Sequence, residues 1–393
     1  MGRSSIAMLR YFILFCIVSW GDCGFFDLTE VDDPLALFWN TKQSFKTGGI
    51  CSVVNKDGEK MEGKCIHATK CVLTGGTANG ICGLGGTCCI YERGCNKETN
   101  EKVSYFSGSY EEIKNIIQSN MCTFKVNLLP NSCQVRLDFI HFVLNPPTWN
   151  SKSVYKCTID SLTVSPNYYN IPILCGNNNK QHAYIHLNRS IDNAVRLSIS
   201  LTYTGNFNEQ RKITNPSWNI KVTQLECDAK MDIFHHNEEF PRKDLLMQAP
   251  LGAIQYFTHM SGNFRSFGLD ENISSDKSID YSKNSNVYIN SLAYAIAFKR
   301  YPSVCGVRFT PLYMTLKEDA GTSKTCETDY IFAPEATDNS KWCNAEEVSI
   351  FPPGPLHIYF ISAATYKTQH TKTWGFNIDY HLETCSTRIA KNY

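Results

Sequence analysis

The sequence predicts an all-β protein: two tandem antiparallel β-sandwiches preceded by a small disulfide-rich module. Three observations predict it. Apolar and polar residues alternate over short segments, the period of half-buried strands. A pattern of four cysteines and a late tryptophan occurs twice in the chain. Between them and the N-terminus, residues 64–89 read "KCIHATKCVLTGGTANGICGLGGTCC", a run dense in cysteine and glycine.

The N-terminus sets the compartment. Arg3 and Arg10 flank a polar start, the apolar run "LRYFILFCIVSW" follows, and small residues come next in "GDCG". Charge, length and flank predict a secretory signal over residues 1–23. The alternative is a buried N-terminal helix, against which the run shows no polar helical face. An N-terminal extension, residues 24–50, comes next. No later stretch approaches the roughly 20 apolar residues of a membrane span. The tail, residues 386–393, is polar and reads as neither anchor nor lipid-attachment signal. The expectation is a secreted, extracellular protein. The formal net charge of +1 excludes a global field aimed at nucleic acid or a membrane surface. With 42% hydrophobic and 19% charged residues, the chain has material for a sizeable core.

Secretion gives cysteine counting its meaning, because disulfides persist in oxidising compartments. Of 18 cysteines, Cys16 leaves with the signal. Cleavage before Gly24 removes Cys23 as well and leaves an even number.

The repeat is read by aligning cysteines. "CQVRLDF" at Cys133, "CTIDSLTV" at Cys157, "LCGNNN" at Cys175 and "SWNIKVTQLEC" ending at Cys227 match a second set. That set is "CGVRFTP" at Cys305, "CETDYIFAP" at Cys326, "WCNAEE" at Cys343 and "TWGFNIDYHLETC" ending at Cys385. Each half places an aspartate three residues after its second cysteine, Asp160 and Asp329, and a tryptophan, Trp218 and Trp374, before its last. The intervening "RLSISLTY", "LHIYFIS" and "NIKVTQLEC" alternate as strands. Polar Asn, Ser, Pro and Gly spacers separate them, the texture of a sandwich. The best helix candidate is the short "YEEIKNIIQSN".

These motifs in this order resemble CUB domains, a resemblance that implies CUB-type, jelly-roll-like sandwiches. "CQVRLDF…LCGNNNKQHAYIHL…W" and "LGAIQYFTHMSGNFRSF…YAIAFKRYPSVCGVRF…CETDYIFAP" look like the two successive CUB modules of a family of secreted invertebrate proteins. The likeness runs from about residue 95 to 390. It implies a first CUB domain at 95–227, a linker at 228–248 and a second CUB domain at 249–385. It also implies disulfides Cys95–Cys122, Cys157–Cys175 and Cys326–Cys343, with the extra cysteines joining first strand to last as Cys133–Cys227 and Cys305–Cys385. The second domain lacks a partner for Cys95–Cys122. The sequence alignment puts Ala253 and Ala297 at those places, both small, so core or neighbour contacts must supply the stability that a bridge gives.

The cysteine-dense segment, residues 51–89, admits a metal site, a phosphate loop or a disulfide knot. Zinc takes cysteine pairs two to four residues apart, whereas the close pair here is adjacent. A phosphate loop needs a Lys after its glycines, and "GGTANG" has none. The glycines read as turn residues between bridged strands. Six cysteines ending in an adjacent pair resemble a clip domain, whose pairing implies Cys51–Cys88, Cys65–Cys82 and Cys71–Cys89.

Catalytic motifs are absent: no serine-protease nucleophile loop, no "Gly-x-Ser-x-Gly", no "His-Glu-x-x-His". The paired His235 and His236, near Glu238 and Glu239, read as a solvated linker. The CUB resemblance raises calcium, which carboxylate oxygens would hold. Asp160 and Asp329 stand at the strand position and Glu318 and Asp319 lie upstream of Asp329. Asp160 has no acid upstream, and the late loops offer no convincing aspartate, so the reading is no cofactor and no metal, with Glu318, Asp319 and Asp329 the weak calcium candidates. Otherwise the aspartates cap surface turns. Two sequons, Asn188 and Asn272, are glycan acceptors. Loops carry recognition in sandwiches. The loops "LTVSPNYYNIPI" and "FPPGPLHIYF" are the candidates, with Tyr168 and Tyr169 as binding anchors or, alternatively, cover for the sandwich end. The expected function is a non-enzymatic, secreted interaction protein that binds extracellular protein or glycan partners, with no nucleic acid. The other readings are a structural component of an extracellular matrix or surface layer, and a non-catalytic regulator of a clip-protease cascade.

Overall fold

Alternating segments become strands because each can bury one face and leave the other polar. The computed structural model describes residues 49–55, 58–83, 85–114, 120–149, 152–201, 213, 215–227, 243–271, 287–316, 326–334, 341–343, 346–366 and 374–385. The signal segment, most of the N-terminal extension, His235, His236, Glu238, Glu239, Asn272, Glu318, Asp319 and the tail lie outside these residues. The chain divides into two compact units, one reaching to Cys89 and one from Ile90 onward, the latter including Gly75–Thr77.

The first unit is a four-stranded sheet of β1 (Ile50–Val54), β2 (Lys60–Ile66), β3 (Thr77–Cys82) and β4 (Gly86–Ile90), in the order β1-β2-β4-β3. A short helix, α1 (Ala68–Leu73), carries the buried Cys71. Three disulfides join Cys51 to Cys88, Cys65 to Cys82 and Cys71 to Cys89, with Cα separations of 5.7, 5.8 and 5.5 Å. Adjacent strand residues point to opposite faces, so Cys88 reaches the sheet's far strand while Cys89 reaches α1. Gly86 must lack a side chain, since a Cβ there would collide with the Cys82 carbonyl.

The second unit begins with β5 (Glu92–Arg93), β6 (Lys97–Thr99), β7 (Val103–Ser109), β8 (Met121–Asn127) and β9 (Ser132–Val143). It continues through β10 (Thr148–Trp149), β11 (Tyr155–Lys156), β12 (Asp160–Ser165), β13 (His182–His186), β14 (Ala194–Leu201) and β15 (Ser217–Glu226). These form a sandwich of two sheets, β12-β14-β8-β6 and β13-β9-β15-β7-β5. Helix α2 (Tyr110–Lys114) starts on a capping box: Ser109 N donates to Glu112 Oε2 and Glu112 N to Ser109 Oγ.

A second sandwich follows from β16 (Ala253–Phe257), β17 (Ser261–Arg265), β18 (Ala293–Phe298), β19 (Val304–Thr315) and β20 (Tyr330–Phe332). β21 (Lys341–Trp342), β22 (Val348–Ile350), β23 (Leu356–Ile361) and β24 (Gly375–Thr384) complete it. Its sheets run β16-β18-β23-β20-β21 and β17-β24-β19-β22. Eight strands follow the same order in both sandwiches, with β5 extra in the first and β21 extra in the second, so the sequence repeat is a repeat of topology. Both sandwiches depart from pure antiparallel pairing at a matching edge, where β6 runs parallel to β8 and β16 to β18, and the first does so again where β5 runs parallel to β7. Half of the expected loop "FPPGPLHIYF" is strand β23, whose Leu356, Ile358 and Phe360 are core.

Disulfides join Cys95–Cys122, Cys133–Cys227 and Cys157–Cys175 in the first sandwich, and Cys305–Cys385 and Cys326–Cys343 in the second. None crosses from one sandwich to the other. The place of the missing bridge differs from the sequence alignment. Cys122 pairs with Ile199 of β14 and faces the core beside Phe124, whereas Ala253 and Ala297 face outward in a separate cluster with Tyr184 and Leu225. Ala253 registers with Ala295, and Ala297 with Tyr256. The residue of β18 that matches Cys122 is Tyr294, paired with Phe360 of β23. The sequence alignment is three residues out, and any odd shift turns a strand side chain to the other face. The buried Tyr294 ring, packed on Phe267 and Phe360, fills the position that sulfur holds in the first sandwich.

Residues 243–247, inside the stretch read as linker, form helix α3 (Lys243–Met247). Asp244 accepts from Lys102 Nζ at 2.6 Å and from Glu226 N at 3.2 Å, which ties α3 to the first sandwich. The chain therefore returns after Cys227 to a point beside Glu226.

Candidate functional site

The strand aspartates are buried acceptors rather than surface turn caps. Asp160 Oδ2 accepts from both N and Nδ2 of Asn145, at 3.0 and 2.6 Å. Asp329 Oδ2 accepts from the hydroxyls of Tyr288 and Tyr366, and Oδ1 from Ala363 N at 2.7 Å. Burial, then the Asp329 charge, holds the Tyr366 hydroxyl protonated well above the usual tyrosine range. The groups named here turn N–H and O–H hydrogens toward the carboxylates, where a cation would need oxygen lone pairs. Among the described residues no three His, Cys, Asp or Glu side chains gather to hold a metal ion.

The outer face of β13 is covered by the second sandwich. Gln134 exchanges two hydrogen bonds with the Ala249 backbone, donating to its oxygen at 2.8 Å and accepting from its nitrogen at 3.0 Å. His186 Nε2 donates to Ala253 O at 2.9 Å, and Tyr256 N donates to His182 Nε2 at 3.0 Å. Arg265 donates to Asn179 O, Gly268 N to Asn178 Oδ1, and the Tyr184 hydroxyl to Met247 O. Farther along, Tyr155 packs against Tyr366 and Trp374, whose rings belong to the second sandwich. The repeat's two tryptophans thus differ in use. Trp218 packs on Phe106 inside its own sandwich, while Trp374 contributes to the seam. Most buried apolar residues of both sandwiches form one contiguous cluster, and Tyr184, Leu225, Ala249, Ala253, Tyr256 and Ala297 form a second one.

At the rim of this seam stands the loop after β12. Asn167 clasps it, accepting from Ile171 N at 2.7 Å and donating to Ile171 O at 2.9 Å. The clasp presents Tyr168 and Tyr169, 46% and 36% exposed. The Tyr168 hydroxyl donates to Asp192 Oδ1 at 2.8 Å, a bond that raises its pKa. Tyr169 packs edge-on to His186 and lies over the backbone of Gly252 in the second sandwich, 3.5 Å from where a Cβ would stand. Gly252 has φ +86°, a conformation suited to glycine. Its neighbour Leu251 is 79% exposed, and Ile191, beside Asp192, is 68% exposed. The two tyrosines thus approach two exposed aliphatics through their neighbours along the chain, Leu251 next to Gly252 and Ile191 next to Asp192. Of these residues the sequence singles out only the tyrosines, by residue type. Leu251 and Ile191 draw no reading, because single exposed aliphatics carry no signal until the fold brings their chain segments to the tyrosine loop. Among the described residues, no helix is long and apolar enough to cross a membrane.

Among solved structures, the chain aligns with the CUB1-EGF-CUB2 domains of rat MASP-1 at 14% identity, covering 73% of this chain and 100% of that one, with a TM-score of 0.24. The corresponding domains of human MASP-1/3 align at 13% identity over 72% of this chain and 100% of that one, TM-score 0.23. The full extracellular region of zebrafish Gpr126/Adgrg6 aligns at 12% identity over 76% of this chain and 38% of that one, TM-score 0.24. No curated protein matches. Residues 250–383, which span the second sandwich, match the family model of the animal CUB domain.

Proposed function

We propose that this is a secreted, non-catalytic interaction protein whose two sandwiches are both CUB-type and act as one recognition body. Its ligand is an extracellular protein or glycan. The observation that carries the reading is Tyr169 lying across Gly252, whose chain neighbour Leu251 is exposed; we read the tyrosine loop and Leu251 as one apolar ridge from two modules. Tyrosine supplies large contact area at small entropic cost, and recognition energy concentrates in a few such residues. Tyr169 and Leu251 are the anchors, and Tyr168 flanks them with its hydroxyl engaged by Asp192. The disulfide-dense N-terminal module and the CUB match of residues 250–383 are consistent with an oxidising, extracellular setting. Metal plays no part in this reading.

The test is capture from the extracellular fluid of the source tissue on immobilised protein. The double variant Tyr168→Ser, Tyr169→Ser should lose the specifically bound partner while still being secreted with its disulfides formed and melting in one cooperative transition. Equal capture by the variant overturns the ridge as the binding site.

A further inference from the structure

The sequon at Asn188 lies in the turn between β13 and β14, next to the tyrosine loop. Asn188, Arg189 and Ser190 are exposed. Asn188 Oδ1 accepts from Ser190 N at 3.1 Å, so the side chain is held by its carbonyl oxygen and its amide nitrogen has no hydrogen-bond partner among the described residues. The backbone N–H of Asn188 donates to Asp192 Oδ2 at 2.7 Å, and the other oxygen of that carboxylate takes the Tyr168 hydroxyl at 2.8 Å. Asp192 therefore holds an aromatic ring by its hydroxyl at a set place beside the sequon. Ile191 adds exposed apolar surface on the same turn.

We propose that Asn188 carries an N-linked glycan and that its innermost N-acetylglucosamine packs on the Tyr168 ring. This rests on the extracellular reading above. In the transfer, Asn188 Nδ2 attacks the anomeric carbon of a lipid-diphosphate-linked oligosaccharide. The N–C bond forms, the C–O bond to the diphosphate breaks, the lipid diphosphate leaves and one amide proton is released. Sugar rings have an apolar C–H face, and an aromatic ring offers the flat, electron-rich partner for it. The glycan would cover Tyr168 and Ile191 and bound the ridge on that side, leaving Tyr169 and Leu251 open.

The full chain is expressed in secreting animal cells, and the peptide containing Asn188 is mapped by mass spectrometry before and after peptide N-glycosidase. The proposal expects a glycan at Asn188 and its conversion to aspartate on treatment. Melting temperatures are then compared for the parent and Asn188→Gln, each with and without Tyr168→Ser. The glycan should raise the melting temperature when Tyr168 is present, and the increment should vanish in Tyr168→Ser. A secreted, disulfide-intact chain with bare Asn188 overturns the glycan alone. An increment that survives Tyr168→Ser overturns the packing. A chain that never enters the secretory pathway overturns the extracellular reading, and the glycan with it.

Discussion

Tyr256 of the second sandwich donates its backbone N–H to Nε2 of His182 in the first, at 3.0 Å, and the imidazole can accept it only while that nitrogen is unprotonated. Burial, with Arg136 nearby, pushes the His182 pKa down to about 3, while Asp138 acts the other way. Burial lowers His186 too. In the unfolded chain a histidine titrates near 6.5. Between those values the unfolded chain binds a proton that the folded chain refuses. The stability is therefore full above about pH 6.5 and lost as pH falls toward 3, at up to about 1.4 kcal/mol per unit from His182. Thermal melts from pH 7.5 to 4.5 should show the decline, with a shallower slope for His182→Gln. An identical slope in the variant contradicts this assignment.

Cys122 and Tyr294 hold matching places in their sandwiches, so the outward-facing Ala253 and Ala297 are the wrong pair to bridge. The variant Ala253→Cys, Ala297→Cys should retain two titratable thiols under oxidising conditions. Tyr294→Ala should cost about 3–5 kcal/mol, the usual toll for emptying a buried aromatic site. A spontaneous bridge between positions 253 and 297, or a neutral Tyr294→Ala, would show that the register differs.

Calcium should leave the melting curve where it is. Binding to the folded state raises stability by mass action, but the Asn145 amide and the Tyr288 and Tyr366 hydroxyls already occupy Asp160 and Asp329. Melts in millimolar calcium and in chelator should superimpose. Asp329→Ala should destabilise by about 1–3 kcal/mol, since it strands two buried hydroxyls. A rise of several degrees in calcium would return Glu318, Asp319 and Asp329 to consideration as ligands.

With no disulfide between the sandwiches, the seam alone must hold them once the chain is cut. A protease site placed at residues 235–236 tests this. The nicked protein should elute as one species in non-denaturing gel filtration, and separate on denaturing gels. Two species in the first experiment would mean that the Gln134, His182 and His186 contacts are too weak to join the halves.

Much of this was legible in one sequence. The alternation of Leu197, Ile199 and Leu201 named a strand, and the cysteine repeat named a repeated topology. The segment "YEEIKNIIQSN" is the best helix candidate in the sequence, and its first turn is helix α2. Other features were hidden for physical reasons. Helix α1 sits in a segment whose glycines and cysteines signal turns and bridges. The seam uses Gln134, Gln181, His182 and His186, polar residues that a sequence reading assigns to solvent because their partners are backbone groups about 70 to 115 residues away. Tyr294 was missed because pleat parity is invisible until strands are paired.

The ridge built from two sandwiches is the account's central claim, and affinity of single variants tests it most directly. Once the partner is captured, its affinity is measured for the parent, Tyr169→Ser and Leu251→Ser, each verified by an unchanged melting temperature. The account predicts that both variants lose at least about tenfold, or roughly 1.4 kcal/mol, because one anchor comes from each sandwich. Full affinity in Leu251→Ser alongside a loss in Tyr169→Ser would contradict a shared site, and full affinity in both would place recognition elsewhere on the molecule.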